Sequence, residues 1–239
     1  MSKEQYRDMQ YKQYNEDAKG WALDSNTTRD KVVGWFDDHN KWEDYEYLFK
    51  NLENEKDLIV LDFGCGPGRN LVKYAGRFAR IDGVDLSEVN LYNAKRYVEG
   101  LNLPLGNLYK CNGLDLEEVP SDTYDLVMST ITLQHICVHE IRYNYFKEFL
   151  RVLKPGGRIS IQMGYGDNRI ATLTTEYYEN KYDAPYTNGG CDVKVRDQNF
   201  VRKDLEEIGF TDYNFRVTQT GPGDRHDHWL FFQAAKPRI

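Results

Sequence analysis

The sequence predicts an α/β domain: a mostly parallel sheet with helices on both faces and an antiparallel last strand. Three observations carry that prediction. From residue 58 onward, short apolar runs alternate with helical stripes of the length a crossover needs. The two final runs, Tyr213 to Thr218 and Trp229 to Ala234, are separated by a Gly-Pro-Gly loop with no room for a helix, so they must pair antiparallel. The chain has 239 residues, 40% hydrophobic and 29% charged. That is enough for one domain with a real core plus an added lid.

Taken in order, the first 56 residues are polar, aromatic and almost free of Gly. Tyr11, Tyr14, Ala18 and Trp21 recur on one face of a helix. Asn26 to Thr28 suits the cap of a second helix carrying Val32 and Phe36, and Trp42, Tyr45, Phe49 and Leu52 give a third stripe. Leu58 to Leu61 is a continuous apolar run, as expected of a strand buried on both faces. A Gly-rich turn and a helix from about Gly68 to Arg80 follow, with Leu71, Ala75 and Phe78 inward. Ile81 to Val84 is the second strand. Ser87 caps a helix carrying Leu91, Ala94 and Val98, and Gly100 stops it. Asn107 to Cys111 and Tyr124 to Ser129 are the third and fourth strands. Ile141 to Leu153 is helical, Arg158 to Met163 is the fifth strand, and Asn199 to Ile208 is a helix closed by Gly209.

Residues 164 to 197 break the alternation without a long apolar run, which marks an insertion over the active face. The expected organisation is a single domain. Its parts are a helical lid at 1–56, a cofactor-binding core at 57–163 and 198–239, and a substrate-side insertion at 164–197.

Charge and cysteine usage exclude several classes. Thirty-one basic against 38 acidic residues leave a net charge of −7, the reverse of the basic surplus that phosphate neutralisation demands of a duplex-binding protein. Nucleic acid is therefore disfavoured as a main partner. Cys65, Cys111, Cys137 and Cys191 form no CxxC pair, so neither a zinc site nor a thioredoxin-type centre is expected, and no metal. Reduced thiols, a polar start without an apolar signal core, and no run of about 18 apolar residues point to a cytoplasmic protein with no membrane partner.

The informative stretch is Val60-Leu-Asp-Phe-Gly-Cys-Gly-Pro-Gly-Arg69. A buried strand precedes it and a helix follows, the context in which glycines let backbone approach a ligand. Arg69 stands where a dinucleotide fingerprint wants its third Gly for close helix–strand packing, which weakens a dehydrogenase reading. Asp62 suits a ligand carrying an ammonium group better than one carrying a pyrophosphate. Asp85 ends the second strand 21 residues after Gly64, where an acidic side chain takes ribose hydroxyls.

With these residues the chain resembles the class I S-adenosylmethionine-dependent methyltransferases of the small-molecule type. Val60 to Gly68 is similar to the family's first motif and Gly83-Val-Asp-Leu86 to its second. Cys111-Asn-Gly-Leu-Asp-Leu116 resembles the segment flanking the adenine. Tyr124 to Ser129, Leu133 to Ile136 and Phe149 to Gly157 resemble the fourth strand, its helix and the turn into the fifth. The resemblance implies a Rossmann-like sheet of seven strands, the last antiparallel, and S-adenosyl-L-methionine as cofactor. It places Gly64, Cys65 and Gly66 beside the methionine part, with Asp62 near its amino group. Asp85 falls on the ribose, Asn112 and Gly113 on the adenine edge, and Leu86 and Leu114 on the adenine faces. The adenine-edge position is often Asp in the family and is Asn112 here, whose amide oxygen can still accept from the adenine amine. Arg29 resembles N-terminal arginines that meet the cofactor carboxylate in some members, with a surface salt bridge as the alternative.

On the acceptor side, His135 follows the fourth strand where the family places acceptor contacts. His135 and Tyr14 are the candidate catalytic pair, and Tyr11, Trp21 and Tyr165 the candidate substrate contacts. A His hydrogen-bonded behind the pocket is the bland alternative. Arg69, Lys73, Arg77 and Arg80 read as a solvated helix face, Arg142 and Lys154 as helix-surface charges, and His226 and His228 as loop-surface residues. Ser129-Thr-Ile-Thr132 replaces the motif of amino-methylating nucleic-acid enzymes, no Cys follows a Pro, and no acid of the aminopropyl-transferase kind follows the fourth strand. The expectation is transfer of a methyl group to a hydroxyl or amine of a small molecule. A cofactor-binding module without turnover is the alternative, and a nucleic-acid or protein methyltransferase the more distant one.

Overall fold

The computed structural model describes residues 1–21, 43–168, 174–183, 192–220 and 226–238. The side chains of 21, 43, 44, 167 and 168 are also left aside. The expected second N-terminal helix, Arg29 and Cys191 lie outside the described residues, as does the side chain of Trp21.

Seven strands form one sheet in the order β3-β2-β1-β4-β5-β9-β8. They are β1 (Ile59–Phe63), β2 (Arg80–Asp85), β3 (Leu108–Lys110), β4 (Tyr124–Thr130), β5 (Leu153–Asn168), β8 (Thr211–Gln219) and β9 (His226–Ala235). The first five pair in parallel, while β9 runs antiparallel to both neighbours. The expected Rossmann-like architecture is therefore the observed one. A separate parallel pair, β6 (Thr174–Glu176) with β7 (Asp192–Lys194), lies inside the insertion.

The strands split the core by their two-residue period. Leu61, Phe63, Val127 and Phe232 pack on one face with Tyr145, Phe146 and Phe149. Val60, Leu126, Met128 and Phe231 pack on the other with Leu71, Phe78, Ala94 and Val98. The crossover helices are α2 (Arg69–Lys73), α3 (Glu88–Gly100), α4 (His139–Val152) and α5 (Gln198–Ile208). Ser87 caps α3 by accepting from the Asn90 N–H at 3.1 Å, as its sequence position implied. A 3₁₀ segment, Glu43–Phe49, crosses the antiparallel end of the sheet. Buried Gln233 on β9 holds it there, its Nε2 donating to the carbonyls of Tyr47, Leu48 and Lys50.

Several local expectations are corrected. The helix expected to reach Arg80 is regular only over Arg69–Lys73, because Gly76 turns the chain at φ +72°. Strand β5 runs on to Asn168, paired with β9 as far as His226, so the insertion starts later than expected. His226 is buried at the start of β9 rather than on a loop surface. Arg142 is fully buried rather than a surface charge, because the insertion covers the start of α4. Its guanidinium donates to the carbonyls of Ile136 and Tyr177.

The first helix, α1 (Lys3–Trp21), lies beside α3 and over the cavity described below. Its buried positions are Tyr6, Gln10 and Ala18; of the expected face Ala18 is buried, Tyr11 and Tyr14 are half-buried, and the stripe extends to Tyr6 and Gln10. The Tyr6 hydroxyl accepts from the Cys137 N–H at 2.8 Å and sits 3.4 Å from the His135 carbonyl. Asn15 accepts from Ser87 Oγ at 2.7 Å, and Asn93 donates to the Ala18 carbonyl at 3.2 Å.

Candidate active site

A cavity of about 360 Å³ opens at the carboxyl ends of β1, β2 and β4, under α1. That is where an open parallel sheet binds ligands.

The turn after β1 forms its floor. Gly64, Gly66 and Gly68 all have positive φ, which only Gly adopts without strain. Their reasons differ. A Cβ on Gly64 would stand 2.3 Å from the Thr132 side chain, so the protein itself demands that glycine. A Cβ on Gly66 would meet nothing within 4 Å, although Gly66 lines the cavity. The Gly66 N–H is fixed by donating to Asp85 Oδ2 at 2.9 Å.

Asp85 ends β2 and lines the cavity. Burial pushes its carboxyl up, opposed by the Ser87 and Gly66 N–H groups and the Asn90 amide, which donate to it. Asp62 is fully buried one step behind the floor, and its Oδ1 accepts from Asn70 Nδ2 at 3.1 Å. Desolvation pushes Asp62 up to about 7, against the Asn70 hydrogen bond and the Arg69 charge. The thiols of Cys65 and Cys111, both on the wall, are also raised by burial, Cys111 to about 11, so neither is a thiolate nucleophile at neutral pH.

Three buried acceptor atoms near this floor have no hydrogen-bond partner among the described residues: Asp62 Oδ2, Asn70 Oδ1 and Asn90 Oδ1. Unsatisfied buried acceptors are costly, and several together call for a ligand that brings donors. An ammonium group with two vicinal hydroxyls, as S-adenosylmethionine carries, supplies such donors. The residues present fit it.

The opposite wall comes from the segment after β4. Thr130, Ile131, Thr132, His135 and Ile136 line the cavity, and Tyr6, Arg7, Gln10 and Tyr14 of α1 roof it. Ile131 is held at φ +56°, a strained conformation for a β-branched residue. Its N–H donates to Gln162 Oε1 at 2.9 Å, which keeps the segment in place. Arg69, expected on a solvated face, is instead buried against the cavity with its guanidinium 2.7 Å from Thr130 Oγ1. His135 is held at Nδ1 by Asp192 Oδ1 at 2.6 Å.

Of the residues singled out from sequence, Gly64, Cys65, Gly66, Asp85, Leu86, Gly113, His135 and Tyr14 share the cavity wall. Asp62 lies just behind it. The Asn112 amide oxygen accepts from the Leu114 and Asp115 N–H groups and shapes a turn, and Leu114 packs on the core; both stand outside the lining. Tyr11 lies over Lys110, with Nζ 4.8 Å from its ring centre, and Tyr165 packs edge-on against His228. Both are also outside the lining. Sequence reasoning missed Tyr6, Gln10, Asn70, Asn90 and Asp192. A Tyr6–Gln10–Tyr14 stripe at four-residue spacing was available for the first two; no local pattern marks Asp192.

Comparison with known proteins agrees with this geometry. Residues 60–157 match the model of a methyltransferase domain. Those residues form a methyltransferase domain of the S-adenosylmethionine-dependent kind. It is 32% identical over 156 residues to trans-aconitate 2-methyltransferase from Paracidovorax citrulli, covering 64% of this chain and 54% of that one. It is 26% identical over 187 residues to the S-adenosyl-L-methionine-dependent Diels-Alderase iliD of Neonectria sp. (strain DH2), covering 72% and 66%. Among solved structures it resembles Haemonchus contortus phosphoethanolamine N-methyltransferase 2 in complex with S-adenosyl-L-methionine, at a TM-score of 0.58 and 19% identity over 86% of this chain and 60% of that one. The matched regions span between about half and two thirds of the length of these two relatives. S-adenosyl-L-methionine is the cofactor of the family. Among the described residues, no helix is long and apolar enough to cross a membrane.

Proposed function

We propose that this protein transfers a methyl group from S-adenosylmethionine to a small-molecule acceptor bound between α1 and the segment after β4. The carrying observation is the group of unpartnered buried acceptors, Asp62 Oδ2, Asn70 Oδ1 and Asn90 Oδ1, beside a glycine floor whose Gly66 has open space for a ligand. When bound, the cofactor supplies a sulfonium-activated methyl group and leaves as the thioether S-adenosylhomocysteine. Asp85 and Asn90 hold the ribose end, and Asp62 with Asn70 receives the amino group. Gly113 and Leu86 take the adenine.

The chain's part in the chemistry is positioning and exclusion of water. A preactivated donor leaves little else to supply. Tyr6, Gln10 and Tyr14 on α1 close the side opposite the sheet, which supports a lid role for the N-terminal segment. His135, with Tyr14 across the cavity, takes a proton from an acceptor that must lose one. The net charge of −7 supports a small molecule over nucleic acid as acceptor. Cys65, Cys111 and Cys137 are buried and form no disulfide among the described residues, which supports a reducing, cytoplasmic setting.

A second reading keeps the cofactor without consuming it; the similarity to a Diels-Alderase favours it. One assay separates the two. The protein is incubated with S-adenosylmethionine and a panel of hydroxyl- and amine-bearing metabolites, and S-adenosylhomocysteine is measured by mass spectrometry. Acceptor-dependent release supports transfer. Tight cofactor binding with no release across a broad panel favours the second reading.

A further inference from the structure

His135 is gripped by a residue from outside the sheet. It closes a 3₁₀ turn, Leu133–His135, after β4, and lines the cavity with 19% of its side chain exposed. Its Nδ1 lies 2.6 Å from Oδ1 of Asp192, the first residue of β7. The other oxygen of Asp192 faces Nε2 of His226, on β9, at 3.4 Å. The insertion thus reaches back to the acceptor wall through one fully buried carboxyl group set between two imidazoles.

The protonation pattern follows from which atoms can donate. Burial alone would push the Asp192 carboxyl up, but the His135 charge and hydrogen bond, and then those of His226, outweigh it and hold the group well below the usual carboxylate range. Asp192 is therefore ionised and can only accept. A 2.6 Å contact to an ionised carboxylate is a charge-assisted hydrogen bond, so the proton sits on His135 Nδ1. In the neutral ring the lone pair is then on Nε2, and that atom makes no hydrogen bond among the described residues.

We propose that Asp192 is a positioning residue that fixes His135 in its Nδ1–H tautomer, leaving Nε2 as the base for a hydroxyl-bearing acceptor. This rests on reading the cavity as a methyl-transfer site and narrows the acceptor to an alcohol or phenol. An amine can shed its proton to water before it attacks, and a carboxylate has none to shed. A hydroxyl must lose its proton as its oxygen forms the new bond. The O–H electron pair stays on oxygen and forms the bond to the methyl carbon, and the proton goes to His135 Nε2. The positive charge lost by the donor reappears on an imidazolium whose Nδ1–H points at ionised Asp192. The bond from Asp192 thus strengthens as the proton arrives.

The test reads the tautomer directly and needs no known acceptor. The full chain is labelled with ¹⁵N-histidine, and ring nitrogens are observed by long-range NMR correlation with S-adenosylhomocysteine bound, using His135→Gln to assign the signal. The expected wild-type pattern is a pyrrole-like Nδ1 and a pyridine-like Nε2. Asp192→Asn should shift the tautomer ratio by about tenfold or more, because a charge-assisted bond is lost. Asp204→Asn, which removes the 2.8 Å partner of His139 on α4, should leave the His135 signal in place. A wild-type Nε2–H tautomer, or an Asp192→Asn protein with the wild-type ratio, overturns the proposal. If Asp192→Asn does not fold, the wild-type spectrum decides alone. Failure of the wild type to bind S-adenosylhomocysteine removes the methyl-transfer reading, and the base role with it, whatever the tautomer.

Discussion

The proposed donor half of the cavity and the proposed acceptor half are built in opposite ways. The donor half is contiguous: Asp62, Gly64, Gly66, Asn70, Asp85 and Asn90 come from β1, β2 and the turns and helices directly after them. The acceptor half is a meeting of distant segments. Tyr6 reaches Cys137 across 131 positions of sequence and His135 reaches Asp192 across 57. A site in which backbone touches ligand needs special residues at fixed local spacing. A site made by side chains converging from separate elements needs only that the fold bring them together.

The largest effect that bears on this contrast is expected from Asp85→Ala. It removes the acceptor for the Gly66, Ser87 and Asn90 donors as well as the proposed ribose contact. Affinity for S-adenosylhomocysteine should fall about 100-fold or more, at roughly 1–3 kcal/mol per buried group left unpaired. Wild-type affinity in a calorimetric titration would remove Asp85 from the donor half. His135→Gln should do the converse, lowering kcat by about 10²–10⁴-fold on a hydroxyl acceptor while donor affinity stays within about twofold. Loss of donor binding instead would erase the division between the halves.

Two smaller effects sharpen the comparison. Tyr6→Phe deletes the acceptor for the buried Cys137 N–H and should cost about 1–3 kcal/mol in stability. It should also speed proteolysis of residues 1–21 in the ligand-free protein and less so with S-adenosylhomocysteine bound. Equal cutting in both states would count against a closing role for α1. Asp62→Asn separates binding from stability. The Asp62 carboxyl stands near 7 in the fold against an ordinary value of 3.8, so the folded apo protein holds a proton that the unfolded chain has released. Its stabilising contribution is full below about pH 4 and is lost as pH rises through about 7. The apo Asp62→Asn protein should therefore melt higher than wild type at pH 8, by roughly 2–4 °C per kcal/mol gained. The two should melt alike at pH 4, and the variant should bind cofactor about tenfold more weakly. A lower melting point at pH 8 would contradict the burial argument.

The same contrast governs how much was legible beforehand. The mostly parallel sheet, the antiparallel closing pair and the glycine floor follow from apolar runs, turn residues and the Asp85 spacing, all of them local. Arg142 and Arg69 were misplaced because helical spacing cannot show what later covers a face, here the insertion and the 3₁₀ segment at Glu43–Phe49. The expected face of α1 started at Tyr11 and so missed Tyr6, although Tyr6, Gln10, Tyr14 and Ala18 recur every four residues. Asp192 sits in a three-residue strand with no pattern of its own.

The central claim, that the floor around Gly66 cradles S-adenosylmethionine, is tested most directly by titrating S-adenosylhomocysteine into wild type and Gly66→Ala by calorimetry. The Gly66 Cβ would meet no protein atom within 4 Å, and its φ of +52° adds only about 1–2 kcal/mol of backbone strain. The variant should therefore fold, as circular dichroism will show, and what its methyl group meets is the ligand. One-to-one binding by wild type and at least tenfold weaker binding by folded Gly66→Ala are the predicted results. A wild type that gives no heat, or a variant that binds as tightly as wild type, would contradict the account.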